Sequence, residues 1–344
     1  MMLARVVFRI GLLIAALSCS VLAEQPYIRT FGANDTFIDP RDDNAATQKA
    51  LTGLTWKAGK FEVTCEAASE ATADKRDPML AEYDALVRFP SPFPNGDKLN
   101  DTVVMEWFAA RDKDGKPVKA PAMVVLHILD SRMTVARIFA RAFAKEGIHA
   151  FVMQMPHYGR RRAPGLKPDA KMLVEGVRQA VADARRARDA IAALPNIEAA
   201  RIGIQGTSLG GFICTAAGSL DDCFNPVLPT LAGADLPELF KNGKNEVAKI
   251  REQARKMGLT DETFTAMIQQ VDPLLLCHRM NPKKTFLYNA EHDEVIPAAN
   301  AKALANAAKI PSEQHVWMIG GHVSCIVHLP EVIPMMVERI KKAE

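Results

Sequence analysis

Arg201-Ile202-Gly203-Ile204-Gln205-Gly206-Thr207-Ser208-Leu209-Gly210-Gly211 decides the reading of this 344-residue chain. Residues 201–205 alternate apolar and polar side chains and read as a short buried strand. Residues 211–217 (Gly-Phe-Ile-Cys-Thr-Ala-Ala) read as a small-residue helix packed close to a sheet. A strand, then Gly-x-Ser-x-Gly, then a helix is the context of a nucleophile elbow. Side chains at positions 206 and 210 would collide with the neighbouring strand and helix, so glycine is needed at both. Ser208 is then expected at the tip of a strained turn, its hydroxyl pushed out over the sheet edge. The plain alternative is an ordinary turn in which Ser208 only caps the helix.

Composition sets the frame around that turn. Hydrophobic residues make up 48% of the chain and charged ones 24%, enough for one large domain with an ample core. A net charge of +3, with no basic run interleaved with aromatics, gives no case for nucleic acid. Arg160-Arg161-Arg162 is a local cluster. At the N-terminus, Arg5 and Arg9 flank the apolar residues 10–17, and Val21-Leu22-Ala23 precede Glu24. The pattern is that of a secretory signal peptide cleaved after Ala23, leaving an exported, soluble chain. A lipoprotein anchored at Cys19 is the lesser alternative, because Ala16-Leu17-Ser18 is a poor lipobox. The apolar run is short against the roughly 20 residues of a spanning helix, so no membrane span is expected in the mature chain. Beyond the leader stand Cys65, Cys214, Cys223, Cys277 and Cys325, an odd set whose spacing shows no disulfide framework. No Cys/His spacing resembles a metal site.

Residues 24–60 lack sustained periodicity and read as a loosely structured extension with a short helix near 45–51. Strands are expected at 61–64, 83–89 and 102–110, with 90–96 a loop and Asp112–Pro117 a hairpin-type turn. From there strands (122–127, 148–153, 201–205, 227–231, 285–289, 315–319) alternate with helices (132–146, 172–194). This argues an α/β fold with a mostly parallel sheet covered on both faces. The long helix 172–194 shows a polar face of Glu175, Arg178, Asp183, Arg185 and Arg186. Residues 236–281 are helical with a break at Gly258-Leu259-Thr260, and are expected to form a small lid over the carboxyl edge of the sheet.

A serine hydroxyl holds its proton at neutral pH and needs a base, which in turn needs an orienting acid. His322 follows the strand 315–319 through Gly320-Gly321 and is the candidate base. Asp293, just past the strand 285–289, is the candidate acid, with Asp235, Glu291 and Glu294 as rivals. Backbone N–H groups for an oxyanion are expected from Leu209 and from Ile128 or Leu129 in the loop after the strand 122–127. Tyr158 and His127 are candidate substrate contacts.

On Arg201 to Gly211, Asp293-Glu294-Val295-Ile296-Pro297 and Gly321-His322, the chain resembles exported bacterial carboxylesterases of the α/β-hydrolase fold superfamily, close to acetyl xylan esterase and dienelactone hydrolase-like members. The resemblance covers roughly residues 100–340. Ile128 stands where many relatives carry glycine. It implies residues 61–344 as an α/β-hydrolase domain and a serine hydrolase that cleaves small esters without a cofactor, Ser208 attacking, His322 shuttling the proton and Asp293 orienting it. The alternatives are a peptidase of the same fold, which would usually carry a large N-terminal recognition domain, and a hydrolase-fold binding protein.

Overall fold

Seven consecutive buried residues, Ala120–Leu126, form the strand β5 at the heart of the molecule. The computed structural model describes residues 28–69, 82–129, 132–166 and 170–343; the expected leader lies outside these. A strand apolar on every residue is what a parallel sheet covered on both faces requires. The period of two decides the partners. Val124 and Leu126 join the cluster that contains Ala180, Ala184, Ile213 and Ala217, while Met123 and Val125 join the one with Phe139, Phe143, Met336 and Ile340. Pro121, which cannot donate to a ladder, falls where the register with the next strand shifts.

Around β5 the sheet has ten strands in the order β1-β2-β3-β4-β6-β5-β7-β8-β9-β10. The strands are β1 (Ile28–Asn34), β2 (Lys60–Ala67), β3 (Ala85–Pro90), β4 (Thr102–Phe108), β6 (His149–Gln154), β7 (Ile197–Thr207), β8 (Val227–Thr230), β9 (Leu287–Ala290) and β10 (His315–Met318). Pairing is antiparallel from β1 through the β4–β6 contact and parallel from β6 onward. The helices are α1 (Ala45–Thr52), α2 (Thr134–Lys145), α3 (Ala170–Ala192), α4 (Leu209–Gly218), α5 (Leu236–Asn242), α6 (Glu246–Lys256), α7 (Asp261–Gln269), α8 (Ala298–Ala307) and α9 (Leu329–Lys342). Among the described residues no helix is long and apolar enough to cross a membrane.

Two readings of the sequence need correction. Residues 24–60 are not loosely structured throughout, because β1 lies there and pairs along its whole length with β2, from Ile28 opposite Glu66 to Asn34 opposite Lys60. As an edge strand it is mostly exposed and carries no alternating apolar signal. The supposed polar face of α3 is in large part interior. Arg186 pairs with Asp35 at 2.7 Å, Arg185 with Asp189 at 2.9 Å and Asp221 at 2.7 Å, and Arg161 with Asp183 at 2.7 Å. Thr36 donates its N–H and its hydroxyl to Asp189. The polar face is present as expected from the sequence, but partners from other elements neutralise and bury much of it.

Helices α5, α6 and α7 occupy the expected helical stretch 236–281 only as far as Gln269, and short 3-10 turns at Pro273–Leu275 and Cys277–Arg279 take up the rest; Gly258, at φ +85°, makes the break between α6 and α7. They gather Leu236, Leu239, Val247, Ala254, Phe264 and Ile268 around Val295 and Ile296. The buried Asp272 carboxylate ties both ends of this excursion together, accepting from the N–H groups of Asp235 (3.1 Å), Leu236 (2.9 Å) and Leu274 (2.9 Å). Burial pushes its pKa from the ordinary 3.8 up to about 6, against the pull of those three donors. A carboxyl with a raised folded pKa contributes stability that is full below its unfolded pKa and lost as pH rises through the folded one. The stability difference between wild type and Asp272→Asn should therefore shift against the wild type as pH rises from about 4 to about 6. Urea unfolding across that range measures it; parallel stability curves would contradict the assignment.

Candidate active site

β7 delivers Ser208 into a turn with almost no free volume. A Cβ at Gly206 would fall on the carbonyl of Gly210, and one at Gly210 would lie 2.6 Å from the Leu126 oxygen and 2.7 Å from the His127 oxygen. With glycine at both positions, the first turn of α4 presses against the ends of β5 and β7. Ser208 takes φ +54° and ψ −115°, a strained backbone for a residue with a side chain. Its N–H donates to the Thr230 carbonyl at 2.9 Å, and its carbonyl accepts from Gly211 (2.8 Å) and Phe212 (3.1 Å). The turn is thus fixed by α4 on one side and β8 on the other.

The loops after β9 and β10 are joined by backbone bonds, Glu291 N–H to the Met318 carbonyl at 2.9 Å and His292 N–H to the Gly320 carbonyl at 3.0 Å. That pairing brings Asp293 and His322 together. His322 Nδ1 lies 2.7 Å from Asp293 Oδ2, and His322 Nε2 lies 3.0 Å from Ser208 Oγ. The other carboxylate oxygen, Oδ1, accepts from the N–H groups of Val295 and Ile296, each at 2.8 Å. With the carboxylate an acceptor, His322 Nδ1–H donates to it. Nε2 is left as the acceptor for the Ser208 hydroxyl. Asp293 is buried and His322 partly open, so the carboxylate is shielded while the imidazole reaches the surface.

The rival acids stand elsewhere. Asp235 Oδ1 caps α5 by accepting from Glu238 N–H at 3.2 Å. Glu294 is exposed and faces Lys244 and Asn245, and Glu291 is exposed.

Leu209 opens α4, so its N–H precedes the first intrahelical bond and points out of the helix beside Ser208. The loop after β5 is oriented by His127, which is not a substrate contact as the sequence suggests. Its ring is fully buried, edge-on to Tyr158 at 4.9 Å between ring centroids. His127 Nε2 accepts from Met155 N–H at 3.1 Å, which leaves the proton on Nδ1 to bond the Ile128 carbonyl at 2.6 Å.

Met155 follows β6, so the His127 ring ties the loop after β5 to the end of its neighbour strand. The Leu126 and His127 oxygens lie against the position that a Gly210 side chain would take, at the start of α4.

Tyr158 is half-buried between the two core clusters, and burial raises its hydroxyl to about 12, so it stays protonated at neutral pH. Arg161, its neighbour in the same loop, is wholly interior. Among the described residues no three His, Cys, Asp or Glu side chains cluster as metal ligands, and the cysteines stand as separate thiols.

No family model matches the sequence, and no curated protein does. Solved structures share its architecture at low identity. The acetyl xylan esterase from Paenibacillus sp. R4 superposes with a TM-score of 0.57 at 17% identity, over 74% of this chain and 83% of that one. Acetyl xylan esterase 1 from Thermoanaerobacterium sp. JW/SL YS485 gives 0.55 at 15%, over 88% and 96%. A puromycin-hydrolyzing peptidase of Mycobacterium tuberculosis gives 0.53 at 16%, over 83% of this chain but 46% of that one. With its mostly parallel sheet, flanking helices and a sharp strand–Ser208–helix turn, this chain has the α/β-hydrolase fold.

Proposed function

We propose that the chain is a serine hydrolase that cleaves carboxylic esters through an acyl-enzyme at Ser208. The observation that carries this reading is the unbroken hydrogen-bond chain from Asp293 through His322 to Ser208 Oγ. In the first half-reaction Ser208 Oγ attacks the ester carbonyl and His322 Nε2 takes its proton. Asp293 steadies the imidazolium, and its two backbone donors keep the carboxylate in place. The N–H groups of Leu209 and of Ile128 or Leu129 receive the carbonyl oxygen as it becomes an oxyanion. His322 then hands the proton to the leaving alcohol. Water, deprotonated by His322, releases the acid in the second half-reaction. No step calls for a cofactor. Helices α5–α7, packed on Val295 and Ile296, act as a lid beside Asp293.

The esterase names of two structural neighbours support an ester substrate. The peptidase is the second reading, and its chain extends well beyond the part that this one covers. A binding protein without activity would have no use for the strained Ser208 backbone. We further propose export after cleavage at Ala23, for which the secreted protein should begin at Glu24 on N-terminal sequencing.

A fluorophosphonate probe should label the wild type, and Ser208→Ala should abolish the label; equal labelling of both would remove Ser208 from the mechanism. Asp293→Asn should lower kcat on the order of 10⁴-fold, as a lost orienting carboxylate does in other Ser-His-Asp enzymes. His127→Phe fills the same space but frees the Ile128–Leu129 peptide. We expect kcat to fall about 10²-fold, the scale of one lost oxyanion donor, with KM little changed. A boronic acid that mimics the tetrahedral adduct should weaken by the same factor. A rise in KM alone would contradict an oxyanion role for this peptide.

A further inference from the structure

The mouth of the Ser208 site is edged by aliphatic side chains left open to water. Val323, adjacent to His322, is 76% exposed, Val327 70% and Ile319 68%, with Ile326 half-exposed. All four lie in residues 319–327, on the segment that leaves β10 and carries His322. His328 Nε2 bonds the Ile319 carbonyl at 2.8 Å, and Ile326 N–H donates to the Val323 carbonyl at 3.2 Å. The turn Ser324–His328 is thereby folded back over the end of β10. Leu129, also half-exposed, stands on the other side of the site, because the sheet order sets β7 between β5 and β10.

Leaving several large aliphatic side chains in water is unfavourable, and a contiguous exposed patch of them marks a place where apolar surface docks. Two observations choose the occupant. The patch continues directly from His322, so a molecule seated for attack by Ser208 lies against it. Its four aliphatic side chains offer a sugar no hydrogen bond; the exposed Ser324 hydroxyl beside them accepts from Gly321 N–H at 2.8 Å and keeps its O–H to donate. The nearby Trp317 ring is packed against His315 at 4.3 Å, with Lys302 Nζ over it at 5.9 Å.

We infer that Ile319, Val323, Ile326, Val327 and Leu129 bind the aliphatic chain of the ester, so that the enzyme prefers medium-chain aliphatic esters to acetylated carbohydrate. The inference rests on Ser208 as the nucleophile. The chain is recognised by its methylenes and belongs either to the acid or to the alcohol.

The test measures kcat/KM, with every ester below its aggregation limit, for p-nitrophenyl acetate, butyrate and octanoate and, by pH-stat, for ethyl, butyl and octyl acetate. An acetylated xylo-oligosaccharide is included. In one of the two series kcat/KM should rise about tenfold over the last four methylenes, as their half-burial implies; the series that rises identifies the acid or the alcohol. Val323→Asp and Val327→Asp should remove that rise, while Ile38→Asp, an exposed apolar site elsewhere, should keep it. Flat or falling series, or the oligosaccharide as the best substrate, would overturn the inference while leaving the Ser208 reading intact. A dimer that dissociates in the Asp variants without change in chain-length preference would assign the patch to a second copy and overturn it as well. A wild type with neither ester turnover nor fluorophosphonate labelling would overturn both.

Discussion

The constraint on which the molecule turns is the absence of side chains at Gly206 and Gly210. Without them the first turn of α4 comes into contact with the carbonyl ends of β5 and the last residues of β7. That closeness has three consequences. It bends the chain so sharply that Ser208 adopts a positive φ and presents its hydroxyl. It aims the free N–H groups at the start of α4 along the carboxyl edge of the sheet. It also sets the Leu126 and His127 carbonyls against the start of the helix. Methyl groups at these two positions would remove all three at once.

Everything else at the site is delivered to that point by the sheet. Parallel strands end on one edge, so groups just past β5, β7, β9 and β10 meet without any long loop having to be ordered. The bonds from His292 to Gly320 and from Glu291 to Met318 fix the last two of these loops to each other before any side chain is considered. At the other end of the sheet, the buried pairs of Asp35 with Arg186 and of Arg161 with Asp183 lock the N-terminal strands and the loop after β6 to α3. A serine held in a strained turn needs such a rigid surround, since strain persists only where neighbours over-determine it.

What could be read in the sequence follows from this geometry. The elbow was legible because its chemistry is local: glycine, serine and glycine within five residues between a strand and a helix. Asp293 and His322 were legible because each directly follows a strand run. Strand β1 was hidden, since an exposed edge strand has no apolar period to report. The interior face of α3 was hidden too. Arg185 and Arg186 look solvated until Asp35, Thr36 and Asp221 are known to be beside them, and sequence spacing carries no such distance. His127 illustrates the same limit within the site. A histidine just past β5 invites a role toward substrate, but its ring nitrogens are spent on Met155 N–H and the Ile128 carbonyl.

The central claim is that Ser208 carries the acyl group between the two half-reactions. Acid-quenched mixing with p-nitrophenyl acetate, followed by mass spectrometry of the digested chain, tests it most directly. The account requires a transient gain of one acetyl group on the peptide containing Ser208, longer-lived in Asp293→Asn than in the wild type. An acetyl group on any other residue, or turnover with no acylated peptide at any time, would contradict it.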